Sequence, residues 1–510
     1  ELVALLSRYL VHIDSEIRER AWSVLSSLMK NCETHRPYII YGMSKFLLHI
    51  PDLKAGIICN VMQKLLKMIN YWIYASHSRP SSEVGIHPTK IDLALSYEIE
   101  GISLLYLCNS HSEVRDLALE ILQGIRKLAQ PDSEVLPDAI NLPPMRVIGI
   151  MEESGKDIQN NLEQDFRFSV DVPYPEDLAS VSFNTIAVSK HQMCWSYCLA
   201  QIVQLASELC PAVVDSIRKV FHSRIEDMSK TGFAVEQEAV LTLWRNYITV
   251  ACIITKDTTE AKDVFSILQT YLKLESHRDT VIFAMQRANI DIVEHIIDTL
   301  KTYETESGAK KAKKRDRIRN DVGNIFCVLS ERFTPGFLHS HEKTRNYFIQ
   351  FIQDSISYLS DSALEDSVLN RYYYCTIVRN VAMQLSEEFD QKELHLDVEL
   401  RHRLFKLFTL WTQRVGGPDP VPTEATTKKK KWNPSIFETL FLKMQQQACS
   451  ATAAILRGPP FTEKPFTAED PVLVWVQHMR KSDRKELCTI AVEALEYYLD
   501  ANQGNVELCN

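Results

Sequence analysis

The stretch Asp14-Ser15-Glu16-Ile17-Arg18-Glu19-Arg20-Ala21-Trp22-Ser23-Val24-Leu25-Ser26-Ser27-Leu28 decides how the chain is read. It returns, altered, as His111-Ser112-Glu113-Val114-Arg115-Asp116-Leu117-Ala118-Leu119-Glu120-Ile121-Leu122. Ser, Glu, Arg, Ala and Leu recur at the same offsets, and Ile17/Val114 and Val24/Ile121 exchange one apolar residue for another. A fainter third copy begins Asp397-Val398-Glu399-Leu400-Arg401. Each copy has a polar start that suits a helix cap, then an acid, an apolar residue and an Arg. Such a helix is built to stack on others of its kind.

Ser15 and Ser112 lie 97 residues apart, and Glu113 and Glu399 lie 286 apart. These separations correspond to two and about six units of roughly 48 residues, close to the ~40–47 of HEAT and armadillo repeats. The reading is an all-α, HEAT/armadillo-like α-solenoid of about twenty helices. Composition agrees. At 510 residues the chain exceeds one compact core. Gly is scarce, 15 residues in all, which disfavours the turns that strand-rich folds need. No Pro falls between Pro211 and Pro335, nor between Pro335 and Pro418, and Pro is excluded from helix interiors. Prolines cluster at 131–144, 173–175, 418–434 and 459–471, which marks loops.

This punctuation divides the chain into helical repeats over 1–130, an irregular Pro-rich insertion over 131–189 and central repeats over 190–415. A Pro/Lys-rich loop over 416–433 and C-terminal repeats over 434–510 follow. Helices are predicted at 2–12, 15–30, 37–49, 53–75, 89–108 and 112–129. Beyond the insertion they are predicted at 190–209, 212–228, 234–255, 258–274, 278–303 and 311–332, and then on to 482–501. On the 15–30 helix, Ile17, Ala21, Val24, Leu25 and Leu28 are expected to share the apolar face. The chain opens inside an apolar-periodic run without Met, as expected of a piece of a longer protein.

The net charge of −9 argues against wholesale nucleic-acid binding. The 12 Cys sit mostly in apolar helical windows without a disulfide-like framework, the usage expected of reduced thiols. No uncharged apolar run reaches membrane-spanning length. Phosphate-binding glycine motifs, a nucleophile elbow and HExxH are all missing, so no catalytic residue is assigned. His191, Cys194 and Cys198 fall at i, i+3 and i+7 of a helix, a spacing that can place three zinc ligands on one face. The interleaved Met193, Trp195, Tyr197 and Leu199 equally suit a buried helix, and no metal or cofactor is assigned.

One tract stands apart: Lys310-Lys311-Ala312-Lys313-Lys314-Arg315-Asp316-Arg317-Ile318-Arg319 carries seven cations and one anion in an acidic chain. It runs into the first turns of a helix, where the macrodipole disfavours positive charge. Local helix stability gives no reason for it. Besides a solvated linker tip, it suits an acidic protein partner, a nuclear-import signal, an anionic lipid surface or the acidic tails of tubulin. Lys310, Lys311, Lys313, Lys314, Arg315, Arg317 and Arg319 are the candidate partner-binding residues. Arg18, Arg115 and Arg401 are read as structural repeat positions, each bonding a carboxylate or carbonyl of a neighbouring repeat.

Three segments together resemble the N-terminal region of the Furry family of cell-morphogenesis proteins. They are Ile17-Arg18-Glu19-Arg20-Ala21-Trp22, Leu243-Trp244-Arg245-Asn246-Tyr247-Ile248, and the basic tract running into Val322-Gly323-Asn324-Ile325-Phe326. The resemblance implies a very large, non-enzymatic scaffold. It implies binding to nuclear Dbf2-related kinases and their MOB co-activators, roles in polarised growth and neurite patterning, and links to microtubules. A location in the cytoplasm, at the cytoskeleton or cell cortex, with a nuclear pool, is expected with it. The alternative is a nuclear-transport-type or other helical-repeat adaptor.

Overall fold

Asp14 caps the helix that the opening stretch predicts, its carboxylate accepting from the Glu16 amide at 2.8 Å. This helix, α2 (Ser15–Asn31), follows α1 (Leu2–Tyr9). The structure is a computed structural model that describes residues 2–77, 93–129, 147, 192–230, 238–306, 312–361, 364–387, 394–412, 434–461 and 465–502. The expected insertion at 131–189, apart from Val147, and the loop at 416–433 lie outside the described residues. Among the described residues there are twenty α-helices and no strand, in a HEAT/armadillo-like helical-repeat fold. The chain divides into two compact units, Glu1–Leu268 with Arg287–Asn289, and Gln269–Gln286 with Ile290–Asn510.

In unit 1, α3 (Arg36–Leu47), α4 (Ala55–His77), α5 (Leu93–Tyr106) and α6 (Ser112–Ala129) continue the alternation begun by α1 and α2. Helices α1, α3 and α5 form one layer, and α2, α4 and α6 the other. From α2 to α6 is thus two helix pairs, matching the 97-residue recurrence. The next helices among the described residues, α7 (Gln192–Leu209) and α8 (Pro211–Lys230), enter in the reverse order. Trp195 of α7 lies under Arg115 of α6, whereas α8 packs on α5. Gly101 makes the latter approach close, since a Cβ there would stand 2.9 Å from the Val213 carbonyl. Helix α9 (Glu238–Ile254) packs on both α7 and α8 and is buried at every position from Leu243 to Ile254 except Arg245. Helix α10 (Thr258–Leu272) begins in unit 1, and the unit boundary crosses its last turn.

The apolar face of α2 differs from expectation. Ala21, Leu25 and Met29 are buried, while Ile17 and Val24 are exposed. Their counterparts Val114 and Ile121 are buried. The difference is in the neighbours: α6 lies between α4 and α7, whereas among the described residues α2 has a layer neighbour on one side, α4.

Three arginines close inter-helix turns in a common way, and a fourth shares their backbone position. Arg18 donates to the His12 and Ile13 carbonyls at 2.7 and 2.8 Å. Arg115 donates to those of Asn109 and Ser110 at 2.8 and 2.9 Å. Arg345 does the same to Leu338 and His339 at 3.2 and 3.4 Å. Carbonyls at and beyond a helix C-terminus have no intrahelical donor and sit at the negative end of the dipole, so a guanidinium suits them. Arg401 instead reaches forward, its Nε donating to the Ile455 carbonyl at 2.7 Å. In all four the Arg amide bonds the carbonyl four residues back, at Asp14, His111, His341 and Asp397. Burial pushes both Arg115 and Arg401 down to about 10, which leaves them charged at neutral pH.

A second polar knot fixes unit 1. Arg224 of α8 pairs with Asp52 just beyond α3 at 2.7 Å and donates to the Leu48 carbonyl at 2.7 Å. The Tyr106 hydroxyl donates to the Leu47 carbonyl at 2.6 Å, and Asn109 donates to the Asp52 carbonyl at 3.2 Å. Asn246 of α9 closes the end of α5 by donating to Cys108 at 3.0 Å. Burial raises the Asp52 carboxyl, and Arg224 and Tyr247 oppose that rise. Two residues of the Leu243–Ile248 motif, Asn246 and Tyr247, therefore belong to this knot.

Unit 2 contains most of α11 (Glu275–Arg287), then α12 (Val293–Glu306), α13 (Ala312–Glu331) and the short α14 (Phe337–Ser340). These lead to α15 (Glu342–Asp361), α16 (Leu364–Ser386), α17 (Val398–Thr412), α18 (Pro434–Ile455), α19 (Pro471–Met479) and α20 (Lys485–Asp500). One layer is α12, α15 and α17, and the other is α13, α16, α18 and α20. The single helix expected at 278–303 is two, broken by a 3-10 turn at Ile290–Ile292. The Asn289 amide there donates to the Cys252 carbonyl at 2.9 Å, a long-range bond that competes with helix continuation. Phe326 centres the core of unit 2, with Phe348, Phe351 and Tyr347 rings at 4.8, 5.2 and 5.7 Å.

Candidate partner-binding surfaces

The basic tract divides at the start of α13. Lys310 and Lys311 lie outside the described residues, as do the side chains of Lys313, Lys314 and Arg315, whose backbone forms the first turn. Arg317 and Arg319 are placed, and both engage this chain. Arg317 pairs with Glu275 of α11 at 3.2 Å. The Arg319 guanidinium lies over the Tyr358 ring of α15 at 4.3 Å and meets Asp316 at 3.9 Å. These two cations tie α13 to its neighbours, which gives them a local reason that composition did not supply.

Asp321, one turn on, is 5 % exposed, with Arg278 at 3.5 Å. Burial raises its carboxyl to about 6, against the opposing pull of Arg278 and Arg317. A carboxyl whose folded value lies above the unfolded one binds its proton more tightly in the folded state. Its stabilising contribution is complete below 3.8 and is lost as pH rises through about 6. Asp321→Asn is expected to remove about 3 kcal/mol of this pH dependence. Chemical denaturation at pH 4 and pH 7 measures it, and parallel wild-type and variant curves would contradict it.

Beside the tract, α12, α15 and α17 form a grooved surface. Lys343 of α15 bridges Glu294 and Asp298 of α12, both at 3.3 Å. Lys301 of α12 lies over the Tyr347 ring at 4.4 Å. A cleft of about 680 Å³ is lined by Lys301, Glu342, Lys343, Asn346, Tyr347 and Gln350. Gln350 is shared with a second cleft of about 460 Å³, which α15 forms with Asp397, Glu399, Leu400 and Arg403. Both are open, and neither brings together a nucleophile and a base.

The other sequence candidates fall as follows. Cys198 is fully buried, while His191 and the Cys194 side chain lie outside the described residues. No group of three or more His, Cys, Asp or Glu is placed to hold a metal ion among the described residues. His339 Nε2 donates to the Gln384 carbonyl at 3.2 Å, and His341 Nδ1 donates to the Phe337 carbonyl at 3.0 Å. Tyr373, Tyr374 and Trp244 are core residues. No helix among the described residues is long and apolar enough to cross a membrane. Sequence reading missed Arg345 and the Arg224–Asp52 pair. The signal for Arg345 was present, since His341 precedes it by the offset that separates His111 from Arg115.

Residues 93–421 match the model of a family described as the cell morphogenesis central region. The chain belongs to this cell-morphogenesis family. Two of the three segments that carried the resemblance, Leu243–Ile248 and Val322–Phe326, fall within the match, and Ile17–Trp22 precedes it. The cell-morphogenesis chain is 19% identical over 494 residues to "Cell morphogenesis protein PAG1" of Saccharomyces cerevisiae. That alignment covers 81% of this chain and 21% of PAG1, so the chain spans about a fifth of its relative's length. Among solved structures, importin β is similar at a TM-score of 0.35 and 12% identity, over 98% of this chain and 52% of importin β. Kap121p is similar at 0.36 and 11%, over 99% of this chain and 49% of its own. Neither likeness is close enough to transfer a binding surface to this cell-morphogenesis protein.

Proposed function

We propose that this region of a cell-morphogenesis protein is a non-enzymatic scaffold that binds nuclear Dbf2-related kinases with their MOB co-activators and supports kinase activation. The observation that carries the reading is the family match over residues 93–421. Stacked helix pairs present an extended surface, and holding two partners on one surface raises their effective concentration without chemistry of its own. The scaffold acts in the cytoplasm, at the cytoskeleton or cell cortex, where microtubules are a further partner.

The structure narrows the part given to the basic tract. Arg317 and Arg319 are engaged within the chain, so the residues proposed to meet an acidic partner are Lys310, Lys311, Lys313, Lys314 and Arg315. The test titrates the chain against a purified kinase–MOB complex. Reversing Lys313, Lys314 and Arg315 to Glu is expected to weaken binding about tenfold at low salt, with the difference shrinking as salt rises. The melting temperature is expected to stay level or rise slightly, since the reversal favours the helix dipole. Equal affinities would remove the tract from the interface. No binding by the wild-type chain would remove the kinase reading itself.

A further inference from the structure

Exposed apolar side chains gather at one end of unit 1. Leu2, Leu5 and Tyr9, at i, i+3 and i+7 of α1, are 60%, 48% and 40% exposed. Ile17 and Val24, at i and i+7 of α2, are 36% and 46% exposed. Residues at these spacings share a helix face, so each helix turns an apolar stripe to solvent. Helix α1 meets α3 off this stripe, through Val3 and Ala4 beside Gly42.

Their counterparts are buried. At the 97-residue offset stand Ile99, Ile102, Tyr106, Val114 and Ile121, each the same residue or another apolar one, and each at most 3% exposed. The preceding helix pair covers them. The Tyr106 hydroxyl reaches the Leu47 carbonyl at the end of α3 at 2.6 Å, and Ile102 and Ile99 lie one and two turns before it on that side. Gly101, on the opposite side of α5, meets α8 instead. On α6, Gly124 faces α4, where an added Cβ would stand 2.6 Å from Ile69 Cγ2, and Ile121 and Val114 run along the same side. By the same register, the stripes of α1 and α2 face the place that a preceding helix pair takes in the stack.

Repeat arrays close with terminal repeats whose outer face is polar. The outer face of α1 and α2 is instead that of a repeat in mid-array. We infer that these helices receive a further helix pair of the same protein, stacked on them as α3 and α4 stack on α5 and α6. Its first helix ends with a carbonyl at the Tyr9 hydroxyl, as α3 ends at Tyr106. Its second lays aliphatic side chains on Ile17 and Val24. Ser27 stands where α6 has Gly124, so this second helix lies farther from α2 than α4 does from α6. A protein of the length of PAG1, of which the matched region is 21%, has ample chain to supply the pair. The scaffold's surface then continues past α1, whichever partners it holds.

Hydroxyl-radical footprinting, read residue by residue by mass spectrometry, compares this chain with the complete cell-morphogenesis protein. Covering the stripe takes its side chains out of water, so Leu5 and Tyr9 are expected to be oxidised about fivefold more slowly in the complete protein. Tyr74 of α4, 71% exposed, is the control and should be oxidised equally in both. Leu5→Asp with Ile17→Asp is expected to restore fast oxidation of Tyr9 in the complete protein. In this chain, where both positions are exposed, the same variant should leave the melting temperature unchanged. Equal oxidation of Tyr9 in the two proteins would overturn the inference, and so would continued protection of Tyr9 in the Leu5/Ile17 variant. Protection of Tyr9 in this chain alone, growing with its concentration, would overturn it in favour of a second copy.

Discussion

Arg224→Ala is expected to cost about 3–5 kcal/mol, the largest loss of stability that a single polar substitution should produce in unit 1. The pair it breaks is buried, with side-chain exposures of 15% for Arg224 and 9% for Asp52. Removing the guanidinium leaves a carboxylate without its partner in a poorly solvated place, and it frees the Leu48 carbonyl at the end of α3. Asp52→Ala alone should be of similar severity, because it strands Arg224. The double variant Asp52→Leu with Arg224→Met is expected to recover most of the loss, since an apolar pair of similar volume carries no uncompensated charge. Denaturant midpoints for wild type, the two alanine variants and Asp52→Ala with Arg224→Ala form a double-mutant cycle. Additive losses would show that the two side chains do not act as a pair.

Phe326→Ala is expected to cost about 3–5 kcal/mol in unit 2, the usual range for emptying a buried aromatic site. Phe326 is completely buried and touches three other rings, with Phe351 edge-on at 86°. It also joins α13 to α15, so the cavity would open between layers and could not be filled by a single side-chain shift. Phe326→Leu should recover a good part of the loss by keeping volume. Thermal unfolding followed by near-UV circular dichroism measures both. A loss below ~1 kcal/mol for Phe326→Ala would mean that the layers collapse onto the gap.

Much of this was written in local sequence. The predicted helices at 15–30 and 112–129 are observed as Ser15–Asn31 and Ser112–Ala129. The reason is that a 3.6-residue apolar period and a capping Asp or Ser act over a few residues, whatever lies elsewhere. The failures are all long-range. The break between α11 and α12 depends on Asn289 bonding Cys252, and periodicity carries straight through it. Exposure of Ile17 and Val24 depends on which helices flank α2. The reversal of α7 and α8 has no local mark at all, because each is amphipathic enough to serve in either layer. The basic tract shows the same limit. Its charge was legible, but the capture of Arg317 by Glu275 and of Arg319 by Tyr358 depends on helices folded against it.

The reversed order of α7 and α8 also bears on how unit 1 is made. In a simple array each repeat is completed by its immediate neighbour and can fold as it leaves the ribosome. Here the end of α3 waits for Arg224, 172 positions after Asp52. At synthesis rates of ~5–20 residues per second, the interval is roughly 10–30 s. Through that interval Asp52 and the Leu48 carbonyl have to be satisfied by water, so the first three helix pairs stay looser than they become. Unit 1 is finished from its far end, and its early helices reach their final stability only after α8 has been synthesised.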